Sequence, residues 1–251
     1  NIIIFGYTGA GKSSVVNLIV GEKRAQTSSD AAACTVDSQA YRVIVQGHPF
    51  CLWDTVGLNE AGLSHNGYLF AVERAHRLIK ELEQSGGVHL LLMCIRGGRI
   101  TATVEQNYKL FFNVLCEKNV RLAVVVTHLE NEPSLEEWWT PNKPFFRQFG
   151  ITNVGHACIT AARGLDNVYA DKYRESEEAI HALLLASLSN KGWCKQKRFW
   201  LVTVLGMMAR MLPRTADLDA EMLTDRLVRY CHFSQRDAEA IAVSIRVIRD
   251  Q

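Results

Sequence analysis

Residues 6–13 read Gly6-Tyr7-Thr8-Gly9-Ala10-Gly11-Lys12-Ser13, a glycine-rich run closed by Gly-Lys-Ser. This is the spacing of a phosphate-binding loop. Glycines admit backbone angles that a Cβ forbids. The N–H groups of the turn, from Gly6 through Thr8, Gly9, Ala10 and Gly11 to Ser14, can therefore converge on phosphate oxygens. A helix starting at Lys12 would add its positive N-terminal potential. Lys12 is placed to reach β- and γ-phosphates, and the Ser13 hydroxyl to ligate Mg²⁺.

A second group of residues extends this chemistry. Asp54-Thr55-Val56-Gly57 follows an apolar run of strand length. A carboxylate there holds Mg²⁺, and the Gly57 N–H senses the γ-phosphate. A threonine between the two motifs should close over the metal. Thr35 is the first choice, with Thr27 and Ser28-Ser29 as alternatives in the polar, small-residue segment 26–36. Farther on, Thr127-His128-Leu129-Glu130 ends another apolar run. A carboxylate at Glu130 can accept hydrogen bonds from guanine N1 and N2, a pair of donors that adenine does not supply. The His128 imidazole can stack on a purine.

These residues need strands and turns to present them. Short apolar runs fall at 2–5, 41–46, 50–54, 89–95, 122–127 and 154–160, alternating with helical stretches near 12–20, 67–85, 102–118, 134–148 and 173–189. Strands alternating with helices predict a three-layer α/β fold on a mostly parallel sheet. The run 41–46 alternates polar and apolar residues and is followed by Gly47-His48-Pro49, which predicts a hairpin and one antiparallel edge strand. From about residue 190 the strand pattern stops. Amphipathic stretches at 199–212, 217–231 and 235–249 predict an α-helical extension, so the expected division is 1–189 and 190–251. Ser234 with Asp237 marks an N-cap for the last helix. The stretch 199–212 is too short to span a bilayer. Flanked by Lys195, Lys197, Arg198, Arg210 and Arg214, it can lie on a membrane surface, although packing on the main domain or on a second copy is the preferred reading.

Bulk properties bound the partners. The chain has 251 residues, 48% of them hydrophobic, with a formal charge of +2, so nothing in the charge points to nucleic acid. The seven cysteines are scattered and never spaced Cys-x-x-Cys, which argues against a disulfide framework or a zinc site and fits a reducing, cytoplasmic setting. The first residues already form a strand, so the native chain is expected to begin earlier.

The motifs together resemble a P-loop GTPase of the TRAFAC class, and most closely the AIG1/GIMAP-type GTPases of the septin-like group. The likeness rests on Gly6 through Ser14, on Asp54-Thr55-Val56-Gly57-Leu58, and on Arg99-Ile100-Thr101 with Glu105, and it covers residues 1 to about 187. It implies a GTP-binding G domain that uses GTP/GDP and Mg²⁺ and assembles as a nucleotide-dependent homodimer or oligomer, with some members associated with membranes. It also implies that Thr127, His128 and Glu130 form the base motif and that the Ala161 N–H, in Thr160-Ala161-Ala162, meets guanine O6. The chain departs from the family pattern at Val56, where a proline is usual, and at His128 and Glu130, where lysine and aspartate are usual.

Catalysis is the open question. Leu58 occupies the place where related enzymes carry a glutamine that orients the attacking water. A leucine forms no hydrogen bond, so hydrolysis should be slow or completed from elsewhere, with Asn59, Glu60 and His65 nearby and Arg96 and Arg99 facing a possible dimer. Three readings follow: a slow GTPase switch raised by dimerisation, a GTP-holding scaffold, and an ATP-using P-loop enzyme. Glu130 speaks against the last.

Overall fold

A computed structural model describes residues 1–21, 40–55, 65–98, 100–152, 155–194, 198–210 and 219–250. The chain forms β1 (Ile2–Phe5), α1 (Lys12–Val20), β2 (Ala40–Val45), β3 (His48–Asp54), α2 (His65–Gln84), β4 (Leu90–Arg96), α3 (Ala102–Tyr108), β5 (Leu122–Thr127), α4 (Trp139–Gln148), β6 (Gly155–Cys158) and α5 (Ala170–Leu185). After these come α6 (Arg198–Arg210), α7 (Ala220–Cys231) and α8 (Gln235–Asp250). The strands make one six-stranded sheet in the order β2-β3-β1-β4-β5-β6. Every pairing is parallel except β2 with β3. This is the three-layer α/β fold that the alternating pattern predicts.

The central strands are continuous apolar runs because both of their faces are covered. Successive side chains point to opposite faces, and the core divides accordingly. Ile2, Ile4, Leu92, Cys94, Ala123 and Val125 pack under α1 and α5, with Val15, Ile19, Ile180 and Leu184. Ile3, Phe5, Leu91, Met93, Val124 and Val126 face the other layer, with Leu78, Leu82, Phe111 and Leu115. There the Phe5 and Phe111 rings stack at 4.5 Å.

Three local differences from the sequence reading have physical causes. The β2–β3 hairpin turns at Gln46-Gly47, one residue earlier than expected. Both residues have positive φ, 48° and 81°, as a two-residue turn between twisted strands requires. The expected helix 102–118 is α-helical only to Tyr108 and π-helical over Lys109–Leu115. The wider turn closes with Cys116 N–H donating to the Phe111 carbonyl at 3.1 Å, and Leu110, Phe111 and Leu115 are all buried. Third, α5 starts at Ala170, before the expected 173; the Tyr173 N–H donates to the Tyr169 carbonyl at 2.8 Å, which winds the first turn early.

Beyond α5, Trp193 exchanges two backbone hydrogen bonds of 2.8 Å with Val88. This ties the outgoing chain to the start of β4. Val204 and Met208 of α6 then meet Ala75 and Leu78 of α2 and Leu110, Phe111 and Leu115 of the π segment. The tail therefore shares a core with the sheet's second face. An Arg226–Glu73 ion pair of 2.5 Å joins α7 to α2. Within the tail, α6 and α8 approach closely at Gly206, where a Cβ would stand 2.7 Å from the Ile248 side chain. Asp219 caps α7 through Glu221 N–H (2.8 Å). At α8 the Asp237 N–H donates to Ser234 Oγ (3.2 Å). No helix among the described residues is long and apolar enough to cross a membrane.

Candidate nucleotide site

In an open parallel sheet, ligands bind beyond the C-terminal strand ends. The described motif residues gather at that edge: the Gly6–Ser13 loop follows β1, Asp54 ends β3, Arg96 ends β4, Thr127 ends β5, and Thr160 follows β6.

The phosphate loop is held by close backbone packing. A Cβ on Gly6 would stand 2.2 Å from the Cys94 carbonyl oxygen. Ala10 N–H donates to the Tyr7 carbonyl at 3.0 Å, closing the turn. Gly9 and Gly11 have φ of 82° and 83°, and Gly11 leads directly into α1. No heavy atom lies within 4 Å of where a Gly9 Cβ would be, so that side of the loop is open. Thr8 and Gly9 are exposed, whereas Lys12 is buried. Lys12 Nζ donates to the carbonyls of Gly6 (2.8 Å) and Tyr7 (3.2 Å), curling over the loop. Ser14, on the first turn of α1, is half-buried. The loop is thus a tight glycine turn with the buried Lys12 ammonium folded onto its carbonyls.

Ser13 Oγ donates to Asp54 Oδ2 at 3.4 Å. A hydroxyl and a buried carboxylate facing each other are the hard oxygen donors that Mg²⁺ takes, so the residues present fit that ion. Asp54 is fixed because the next residue, Thr55, binds the Ile4 carbonyl through both N–H (3.2 Å) and Oγ1 (2.9 Å). Thr35, Thr27, Ser28, Ser29, Val56, Gly57, Leu58, Asn59, Glu60 and Arg99 lie outside the described residues, as does the His65 side chain.

The Thr127–Glu130 segment is joined to the phosphate loop by Thr127. Its hydroxyl lies 3.0 Å from the Ala10 carbonyl, 3.2 Å from that of Ile95 and 2.8 Å from His128 Nδ1. A Cβ on Gly11 would come within 3.1 Å of the same oxygen. His128 has a left-handed backbone, φ 61°, and an exposed side chain. Burial lowers its pKa first, Arg96 lowers it further, and Glu130 opposes both. The shift is downward, on a ring that solvent still reaches.

Glu130 is half-buried, and its Oε2 lies 3.4 Å from Thr160 Oγ1. The β5 and β6 loops thus meet at this carboxylate. Ala161, half-buried, follows immediately on the β6 side.

Sequence reasoning missed the residues behind these loops. Lys172 of α5 donates from Nζ to the carbonyls of Glu130 (2.9 Å) and Glu132. Tyr169 OH donates to Asn131 Oδ1 at 3.0 Å. Ser176 Oγ, fully buried, accepts the Thr160 N–H at 2.9 Å and donates to the Lys172 carbonyl at 2.6 Å. Their 3–4 residue spacing was the available signal, although on an amphipathic helix it reads as an ordinary polar face. Tyr7 was also missed: its hydroxyl accepts the Arg96 N–H at 3.2 Å.

Comparison with known proteins agrees with this geometry. A family model described as 50S ribosome-binding GTPase matches residues 1–128. The tRNA modification GTPase MnmE of Acinetobacter baylyi is 35% identical over 107 residues, 43% of this chain and 22% of that protein. Immune-associated nucleotide-binding protein 7 of Arabidopsis thaliana is 25% identical over 191 residues, 73% of this chain and 58% of that protein. The chain thus spans less than two thirds of either relative. A dimerisation-deficient variant of Toc33 from Arabidopsis thaliana shares the fold, with a TM-score of 0.51 at 17% identity over 76% of this chain and 86% of that one. With the family model covering 128 of 251 residues and its motifs gathered at one sheet edge, the chain belongs to the 50S ribosome-binding GTPase family of P-loop GTPases.

Proposed function

We propose that the chain is a guanine-nucleotide switch of the AIG1/GIMAP type, which binds GTP and GDP with Mg²⁺ and hydrolyses GTP slowly. The observation that carries this reading is the Thr127 hydroxyl, 3.0 Å from the Ala10 carbonyl. It joins the loop bearing Glu130 to the loop bearing Lys12, so one ligand with a base and a polyphosphate spans both. In this reading Gly6, Thr8, Gly9, Ala10, Gly11, Lys12, Ser13 and Ser14 bind the phosphates. His128 covers the base, Glu130 takes N1–H and the 2-amino group, and the Ala161 N–H takes O6. Ser13 and Asp54 would hold Mg²⁺ together with Thr35, and Gly57 would meet the γ-phosphate. The metal, when bound, neutralises charge on the phosphates. The working division is a G domain over 1–189 and a helical extension over 190–251.

Slow turnover follows from Leu58, which cannot orient water. A second copy across the nucleotide face would supply what is missing. Arg96, exposed at the end of β4 beside His128, is the described residue best placed to face it. The Toc33 variant that shares this fold is a dimerisation-deficient mutant, which is consistent with this reading. The same leucine favours a second reading, a GTP-holding scaffold without turnover. In that reading the tail, with Met222, Tyr230, Val243 and Val247 exposed on α7 and α8, would meet a protein partner.

Phosphate release per protomer, measured across a range of protein concentrations with excess GTP and Mg²⁺, separates these readings. The switch predicts a per-protomer rate that rises with concentration and then levels off. Tight GTP binding with no release at any concentration supports the scaffold. Fast release independent of concentration contradicts both.

A further inference from the structure

The guanine reading leaves α5 without a part, yet one stripe of this helix holds both base-side loops. Lys172 and Ser176 are four residues apart, neighbours on one face of α5, and Tyr169 stands just before the helix. Tyr169 reaches the Asn131 side chain (3.0 Å), Lys172 the carbonyls of Glu130 and Glu132, and Ser176 the N–H of Thr160 (2.9 Å). The Tyr169 N–H also donates to the Arg163 carbonyl at 2.9 Å, and the Arg163 guanidinium lies over the Tyr173 ring at 4.6 Å.

We propose that Lys172 is a positioning residue for base selectivity, a proposal that rests on Glu130 being the guanine-reading carboxylate. The half-buried ammonium has three donors and no acceptor. It spends two of them on loop carbonyls that no strand pairs. Two carbonyls two residues apart are thereby drawn to one point, which fixes the backbone that carries Glu130. On the other side of that carboxylate, Thr160 is fixed through Ser176 to the same turn of α5. Helix α5 thus sets the separation of Glu130 and Thr160. A chain that lacked the ammonium would keep its phosphate loop, which α5 does not touch through these bonds, and would lose the alignment of the carboxylate.

The test compares GTP with inosine triphosphate, which keeps N1–H and O6 but lacks the 2-amino group, and with ATP. Affinities are measured by equilibrium titration in Mg²⁺ for the full chain, for Lys172→Met and for Lys172→Arg. The wild type should prefer GTP over inosine triphosphate about tenfold or more, as one hydrogen bond to a charged acceptor allows. Lys172→Met should bring that ratio within about threefold while ATP affinity holds, and Lys172→Arg, which restores two donors, should recover it. A purely structural lysine would lower the melting temperature, or weaken all three nucleotides alike, and leave the ratio unchanged; either result overturns the proposal. If Lys172→Met does not fold, Tyr169→Phe, which releases Asn131 alone, should still lower the ratio, and an unchanged ratio there counts against it. A wild type that binds GTP and inosine triphosphate equally overturns the guanine reading itself, whereas a selective wild type with an equally selective Lys172→Met overturns only the role of Lys172.

Discussion

At the phosphate end of the site a Gly6 Cβ would stand 2.2 Å from the Cys94 carbonyl oxygen and a Gly11 Cβ 3.1 Å from Thr127 Oγ1. At the proposed base end, Glu130 stands on a loop whose carbonyls are held by Lys172, 42 and 40 positions away in sequence. The first arrangement is close packing around the backbone, and it depends on residues having no side chain. The second is side chains reaching across from another helix. Backbone packing tolerates few alternatives, so the phosphate end keeps a recognisable string of glycines. Side-chain bracing can be built in many ways, so the proposed base end can carry His128 and Glu130 in place of the usual residues and still be braced from α5.

The largest expected effect lies at the phosphate end. Lys12→Ala removes the buried cation and should weaken GTP, GDP and ATP together by about a hundredfold or more, since every one carries the phosphates Lys12 meets. A panel of titrations checks this, and a loss confined to guanine nucleotides would break the contrast between the two ends. Glu130→Gln should act the other way. It removes the charged acceptor, costing about 1.5–3 kcal/mol of GTP affinity, while ATP affinity stays level in the same panel. Next is Gly206→Val, far from both ends. A Cβ there meets Ile248 at 2.7 Å, and overpacking of this kind costs about 1–3 kcal/mol. Thermal unfolding should show the loss with both nucleotide ratios unchanged, which would separate the tail's packing from the site.

The smallest effect is pH dependence. Burial is the first cause lowering the pKa values of the half-buried His76 and His89 below their ordinary 6.5. The unfolded chain then binds more protons than the folded one in the window just below 6.5, so stability rises with pH there. It is fully present above 6.5 and is lost as pH falls through the folded values. Melting temperatures from pH 7.5 down to 5 should decline over this window, and His76→Gln should flatten the decline in part. A flat profile would contradict the burial of these rings.

How much of this was legible in the sequence follows the same contrast. The sheet could be read because Leu90–Arg96 and Leu122–Thr127 are apolar almost throughout, and a strand covered on both faces carries such a run. The phosphate loop could be read because its function requires particular glycines. The hairpin turn was misplaced by one residue because Gln46 carries no glycine-like signal for its positive φ. The π-helical turns after Tyr108 pack against the tail through Leu110, Phe111 and Leu115, a contact that local spacing does not encode. Lys172 and Ser176 could not be found because a lysine and a serine on a polar helix face look alike whether they meet solvent or a distant loop. The tail helices were visible as amphipathic stretches, but their seat against α2 depends on contacts such as Arg226–Glu73.

The most direct test of the account is the ratio of GTP to ATP affinity in wild-type protein, stripped of any carried nucleotide and titrated in Mg²⁺. If Glu130 and the Ala161 N–H read the base while the Gly6–Ser13 loop holds the phosphates, GTP binds at least about tenfold more tightly, as the paired hydrogen bonds to a carboxylate allow. Equal or tighter binding of ATP would contradict that claim, leaving a phosphate-binding loop with no base-reading end.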